Sequence, residues 1–472
     1  MKRLTCLLGL LHLFAGSFFG CASRTHLPEE RIRRTRVEEP HAILGSGFGS
    51  EGLVLVVWGE VAPDGAADVF FATVRDGLAE MRPVRVNSKR GTAVAGRQVG
   101  PRIAVTSRGR ILVTWVDRGR DPAGDILVSV SDDGGRTFSP AARVNDDLGP
   151  AGQEYQDITV LPDETVVISW LDERDATREN KNQKQLYLAF SKDAGRSFGP
   201  NLALTSSPQG VCPCCRPGLA GLPSGSLHVV YRDRVEVEPG RVQLVIRMAS
   251  RLPDEAAFRP PVKVSRKGWI YDACPVDGPA VLAEAGGTLR VAWMDASPGR
   301  ETLWQALSRD AGDTFGPPVG LTESSTLRDA SSTEASRLSF TRVAQPCCLA
   351  RDAADSELDN AVPGRPVLAR HPLHGTIAAW QDDAGGVWLR GLDEKGAALR
   401  FRCGGERMAR SPQMVVADDA IHLFWTEVEW DAAAPLEEAH LVSRLGHARL
   451  KVERGELTMA RFFSGLMEVS SH

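Results

Sequence analysis

An apolar run, an aromatic residue, one variable position and then an acid: this pattern recurs seven times along a chain of 472 residues. It reads LVLVVWGE at Trp58, ILVTWVD at Trp115, VVISWLD at Trp170, LHVVYRD at Tyr231, LRVAWMD at Trp293, TIAAWQD at Trp380 and IHLFWTE at Trp425. Successive aromatics stand 57, 55, 61, 62, 87 and 45 residues apart. A unit of this size cannot bury its apolar face alone, so it must stack against copies of itself.

Other features keep step with the aromatic. Proline stands fourteen residues before it in four repeats (Pro101, Pro217, Pro279 and Pro366), opening short runs such as PRIAV and PAVLA. After it comes a second β-rich run (DILVSVS, QLYLAFS, QLVIRMAS, TLWQALS), a turn, and a closing run such as ARVN, LALT or VKVS. Four short strands per unit, repeated around an axis, predict an all-β fold: a β-propeller of four-stranded antiparallel blades. Seven blades are expected, six if the first or last repeat is incomplete. The propeller is expected over 39–455, with an insertion at 324–364 accounting for the longest interval and a C-terminal tail at 456–472. Residues 22–38 read as a linker in which Arg31 to Val37 supplies an outer strand that closes the ring.

The turn after the third strand carries a second motif, S-x-D-x-G-x-[TS]-F: SDDGGRTF from Ser131, SKDAGRSF from Ser191 and SRDAGDTF from Ser308. Its aspartates (Asp133, Asp193, Asp310) suit acceptance of backbone N–H bonds across a tight turn. Its glycines (Gly135, Gly195, Gly312) supply positive φ, and its phenylalanines (Phe138, Phe198, Phe315) supply apolar anchors. SRLPDEAAF from Ser250 is a decayed copy in step with the rest.

These turns resemble the Asp-boxes, or BNR repeats, of the sialidase superfamily, and the segment from Pro101 to Phe138 resembles the opening of a sialidase domain. In that family the box is structural, so it implies the propeller rather than an activity. The resemblance further implies three arginines that hold a substrate carboxylate, a Tyr/Glu nucleophile and an aspartate acid/base. Arg102, followed by Ile103, matches the first arginine in position. Arg216 and Arg365 also open inner strands and complete a candidate clamp, whose planar forks suit carboxylates. Asp121 and Asp125 are the acid/base candidates. The late tyrosine is missing: the chain has only Tyr155, Tyr187, Tyr231 and Tyr271. Ordinary sialidase catalysis is therefore disfavoured, although paired acids of the W-x-D repeats would suit another glycosidase if they converged on the axis.

The N-terminus reads as a secretory signal over residues 1–21. Lys2 and Arg3 precede an apolar run that ends at Gly20-Cys21, which resembles the bacterial lipobox with Cys21 as the lipid acceptor. An exported lipoprotein of a bacterial cell envelope is expected, anchored in the outer membrane or at the cell surface. Beyond Cys6 and Cys21 the cysteines are Cys212, Cys214, Cys215, Cys274, Cys347, Cys348 and Cys403. Blade alternation places all seven on the face where first strands begin, here called the upper face, together with Asp117, Asp172, Asp233, Asp295 and Asp382. Disulfides between loops and a soft-metal site for zinc or copper are the two readings of this cluster. Net charge is −4, with no basic domain to follow a phosphate backbone, so nucleic acid is not an expected partner. The leading functional expectation is a sialidase-like propeller that binds a glycan, protein or other ligand without sialidase catalysis. A sialidase-like glycoside hydrolase and a thiolate metal-binding protein are the alternatives.

Overall fold

The computed structural model describes residues 36–45, 52–76, 78–96, 98–177, 183–270, 278–295, 297, 301–322, 364–382, 385–393, 400–403, 408–430, 441–453 and 456–464. They form seven antiparallel sheets in chain order. Blade 1 runs from Arg36 to Arg85, blade 2 from Arg102 to Arg143, blade 3 from Gln153 to Ala203 and blade 4 from Gly218 to Lys263. Blade 5 follows from Ala280 to Gly320, blade 6 from Val367 to Cys403 and blade 7 from Met408 to Ser464. The inner strands of all seven line one axial channel. No helix among the described residues is long and apolar enough to cross a membrane.

The repeated aromatic explains why the units stack. Each one lies in a different apolar cluster, wedged between its own blade and the one before: Trp115 between blades 1 and 2, Trp170 between 2 and 3, Tyr231 between 3 and 4. Trp293, Trp380 and Trp425 continue the series, and Trp58 fills the junction where blade 7 meets blade 1. All seven are at most 2% exposed. Burying a ring of this size contributes several kcal/mol per wedge, roughly 3–5 kcal/mol judged by truncation.

Ring closure differs from the sequence expectation. Arg36–Leu44 is the inner strand of blade 1, paired with Val54–Val61, and does not join blade 7. Blade 7 takes its outer strand from Glu456–Ser464, the segment expected to be a tail. Blades 1 and 7 therefore meet through side-chain packing rather than through a shared sheet. Val54, Val56 and Trp58 of blade 1 lie against Val415, Phe424 and Leu445 of blade 7, and Ser443 Oγ donates to the Val37 carbonyl at 2.7 Å. The expected insertion at 324–364 lies almost wholly outside the described residues, as do Cys6, Cys21, Cys274, Cys347 and Cys348.

Candidate functional site

The W-x-D acids stand at the upper ends of second strands, but they do not converge on the axis. Spacing of two residues puts acid and aromatic on the same face of a strand, and the acid accepts the indole N–H. Trp170 Nε1 donates to Asp172 at 2.7 Å, Trp293 Nε1 to Asp295 at 2.8 Å, and Trp58 Nε1 to Glu60 at 3.0 Å. The other carboxylate oxygen receives the backbone N–H of the turn that follows: Arg174 for Asp172, Ser297 for Asp295 and Gly119 for Asp117. In blade 6 the donor to Asp382 is Trp388 on the neighbouring strand. In the tryptophan blades the acid thus serves as a cap on a buried indole, in blade 4 Asp233 instead pairs with Arg247 at 2.8 Å, and the expectation of paired catalytic acids drawn from the motif does not hold.

The Asp-boxes are structural in the same way. Asp133 accepts from Ser131 Oγ, Thr137 N and Thr137 Oγ1 at 2.6–2.9 Å, and Asp193 is held alike by Ser191 and Ser197. Asp310 has the equivalent bonds to Ser308 and Thr314. Burial is the largest single effect on Asp133 and Asp193 and raises them, but the hydrogen-bond donors around them together outweigh it; donors dominate outright at Asp310, and all three carboxyls end at a pKa of about 2. In the first box Gly135 has φ of +85°, and a Cβ there would lie 1.9 Å from the Phe71 ring of the preceding blade. Phe138 packs edge-on against that same ring, with centroids 5.5 Å apart. Each box therefore locks one blade to its predecessor on the lower face.

The three candidate arginines do come together. The axial channel encloses about 540 Å³, and its upper end carries His41, Arg102, Asp157, Arg365 and Gln413. Arg102 Nε donates to Asp157 Oδ1 at 2.9 Å, while Asp157 Oδ2 accepts from Leu219 N. Arg216 lies behind the lining, fully buried, with Nη2 3.5 Å from Glu39 Oε2 and 3.3 Å from the Gly100 carbonyl. Its Nε is buried without a hydrogen-bond partner among the described residues. Burial, with the charges of Arg102 and Arg365, lowers the Arg216 pKa to about 9, although Glu39 and Asp157 work the other way. Burial and the same three guanidiniums hold His41 well below the usual histidine range, so its ring is neutral and Nδ1 accepts the Ile103 N–H. The mouth is thus a desolvated site where three guanidiniums stand near one another, with Glu39 and Asp157 opposing their mutual repulsion at Arg216.

Several residues of this site carried no signal in the sequence. Glu39, Tyr155 and Ser411 have φ of +44°, +61° and +51°, each inside a register shift at the upper end of an inner strand. Such bulges re-aim side chains; here Ser411 Oγ donates to Glu39 Oε1 at 3.0 Å. Gln98 crosses between distant loops, its Oε1 accepting from Arg216 N and Gly278 N. The acid/base candidates stand elsewhere. Asp121 accepts from Ala123 N in its own turn, and Asp125 faces Asn145, Arg143 and Arg120 in blade 2; neither lines the channel.

Among the cysteines, Cys212, Cys214 and Cys215 share the loop that enters blade 4, on the upper face, with their sulfurs within 4.8 Å of one another. That donor set is able to hold a soft metal ion. Cys212 and Cys215 are buried thiols. The contact with Cys215 lowers the Cys212 pKa to about 7, whereas burial pushes Cys215 up. Cys403 ends the outer strand of blade 6, its backbone opposite Val387.

The fold and this site define a seven-bladed β-propeller with a cationic axial mouth. No known family profile and no curated protein matches the sequence. Among solved structures the chain is similar to an ulvan lyase (10% identity, 91% of this chain and 96% of that one, TM-score 0.49). It is similar also to an α-L-arabinofuranosidase from Fusarium graminearum (14%, 73% and 91%, TM-score 0.46). A third is the Trypanosoma rangeli sialidase (13%, 73% and 54%, TM-score 0.40). The likeness is one of propeller architecture.

Proposed function

We propose that the protein is a binding module that takes a carboxylate-bearing ligand, in particular an acidic saccharide, at the upper mouth of its axial channel. The observation that carries this reading is the convergence of Arg102, Arg216 and Arg365 around a neutral His41. Asp157 and Glu39 hold two of the guanidiniums in place before any ligand arrives. An incoming carboxylate then meets the channel-lining forks of Arg102 and Arg365, while Arg216 behind the lining adds its positive charge.

Binding without hydrolysis is the preferred form. Tyr187 spends its hydroxyl on Asp175 at 2.7 Å, and Tyr231 is a wedge residue. Tyr155, beside Cys212 and Cys215, is pushed by burial to a pKa of about 12, which disfavours a nucleophilic phenolate. Thermal denaturation in the presence of N-acetylneuraminate or glucuronate tests the reading, with neutral N-acetylglucosamine as control. At a hundredfold excess over Kd, binding stabilises by about 2.7 kcal/mol. We expect the acidic sugars alone to raise Tm, and Arg102→Ala and Arg365→Ala to abolish the effect. Equal responses to acidic and neutral sugars would overturn the proposal, and release of 4-methylumbelliferone from its sialoside would replace it with the hydrolase reading.

The reading includes export and tethering through Cys21, supported by the apolar N-terminal run and Gly20-Cys21. Cys21→Ser is expected to move the protein from the membrane fraction to the soluble one. The sulfur cluster supports a second reading, soft-metal binding, which zinc and copper analysis of the purified chain decides.

A further inference from the structure

The anion-binding reading makes no use of the Cys212 and Cys215 thiols. They flank a tight turn, Cys212-Pro213-Cys214-Cys215, in which proline sits second and pre-sets the backbone that brings first and fourth residues together. Both ends of the turn are clamped. Cys212 N donates to the Arg232 carbonyl at 2.9 Å and Val211 N to the Lys184 carbonyl at 2.8 Å, while Arg216 N donates to Gln98 Oε1 at 2.9 Å. The two Sγ atoms stand 3.2 Å apart, and each residue is 2% exposed. A disulfide needs about 2.05 Å between sulfurs. An approach of roughly 1 Å separates the two states, which side-chain rotation supplies with the clamps in place.

We propose that Cys212 and Cys215 form a reversible thiol–disulfide couple, a redox site whose co-substrate is a small disulfide. One thiolate attacks a sulfur of the oxidant, breaking its S–S bond and expelling one thiol. The second thiol gives up its proton and displaces the remaining half, which leaves as the second thiol. Two electrons and two protons pass from the cysteine pair to the oxidant, and one Sγ–Sγ bond joins residues 212 and 215. Burial of both sulfurs keeps protein disulfides away and selects small partners. The bond closes only a short loop, so it gains little from chain entropy and is readily reduced, unlike a staple between distant loops. The proposal does not depend on the ligand of the channel.

The test equilibrates the full chain with graded mixtures of reduced and oxidised glutathione, quenches with acid, alkylates after unfolding and maps the peptide containing Cys212 to Cys215 by mass. We expect one two-electron transition in which Cys212 and Cys215 lose alkylation together and become linked. Cys214→Ser is expected to keep that transition, whereas Cys212→Ser and Cys215→Ser each lose it; circular dichroism checks that the variants retain their β-sheet. Separate alkylation of both thiols across the whole series would overturn the couple. So would a link from either one to a different cysteine, loss of the transition in Cys214→Ser, or stoichiometric zinc or copper retained by the three sulfurs.

Discussion

Glu39→Gln is the most direct probe of the axial mouth. The change keeps the side chain's size and an oxygen able to accept the Gln98 N–H, a bond of 2.7 Å. It removes the charge that faces Arg216, fully buried at 3.5 Å, and puts an amide NH2 where that carboxylate oxygen stood. At that separation and an effective dielectric of about 20, the lost attraction is about 5 kcal/mol. Measured losses on breaking buried pairs run at about 3–5 kcal/mol, because the orphaned charge stays desolvated. Arg102 and Arg365 add repulsion that Glu39 partly offsets in the native protein. We therefore expect Glu39→Gln to lower stability by about 4 kcal/mol, or a few degrees in Tm for a chain of this size. Urea denaturation followed by tryptophan fluorescence reads this, since the wedge tryptophans report on blade separation. The variant should also recover more stability than the native chain from added acetate or glucuronate, which replaces the lost carboxylate. The double variant Glu39→Gln/Arg216→Met should regain most of the deficit by removing the orphaned cation. A single variant within about 0.5 kcal/mol of the native chain would show that Arg216 has no unmet need for an anion, and the reasoning for the site would fall with it.

Three further outcomes follow from the same geometry. Asp172→Ala strands the Trp170 indole N–H and the Arg174 backbone N–H in the core, and should cost about 3–5 kcal/mol by urea titration, while the catalytically more suggestive Asp121→Ala should cost far less. Gly135→Ala meets both a φ of +85° and the Phe71 ring, and should cost about 2–4 kcal/mol, whereas Gly65→Ala, with equally positive φ but nothing within 4 Å, should cost only the backbone part. Burial holds His228 and His422 at pKa values of about 4, so the unfolded chain binds more protons than the folded one between pH 6.5 and 4. Stability should be full above pH 6.5 and fall steadily through that window, before the Asp-box carboxyls protonate near pH 2; a stability profile flat from pH 7 to 4 would contradict it.

The sequence alone determined the architecture, because the wedge between blades must be filled seven times by an aromatic ring and each buried indole must find an acceptor. Those are local demands with a fixed spacing, so Trp170 and Asp172, or Ser131 and Asp133, appear as a readable repeat. It also placed Arg102, Arg216 and Arg365 at the upper ends of inner strands, since strand alternation is enough to fix a face. Three-dimensional closure decided the rest. Which strand completes blade 7 depends on the relative packing of two ends more than 400 residues apart, and a side-chain seam leaves no pairing pattern to read. Glu39, Gln98 and Asp157 acquired their roles only when seven strand ends met around one axis, with bulges turning single residues inward. The W-x-D acids make the converse point. Their repeat is conspicuous because each serves its own blade, whereas a site shared among blades uses each residue once and so repeats nothing.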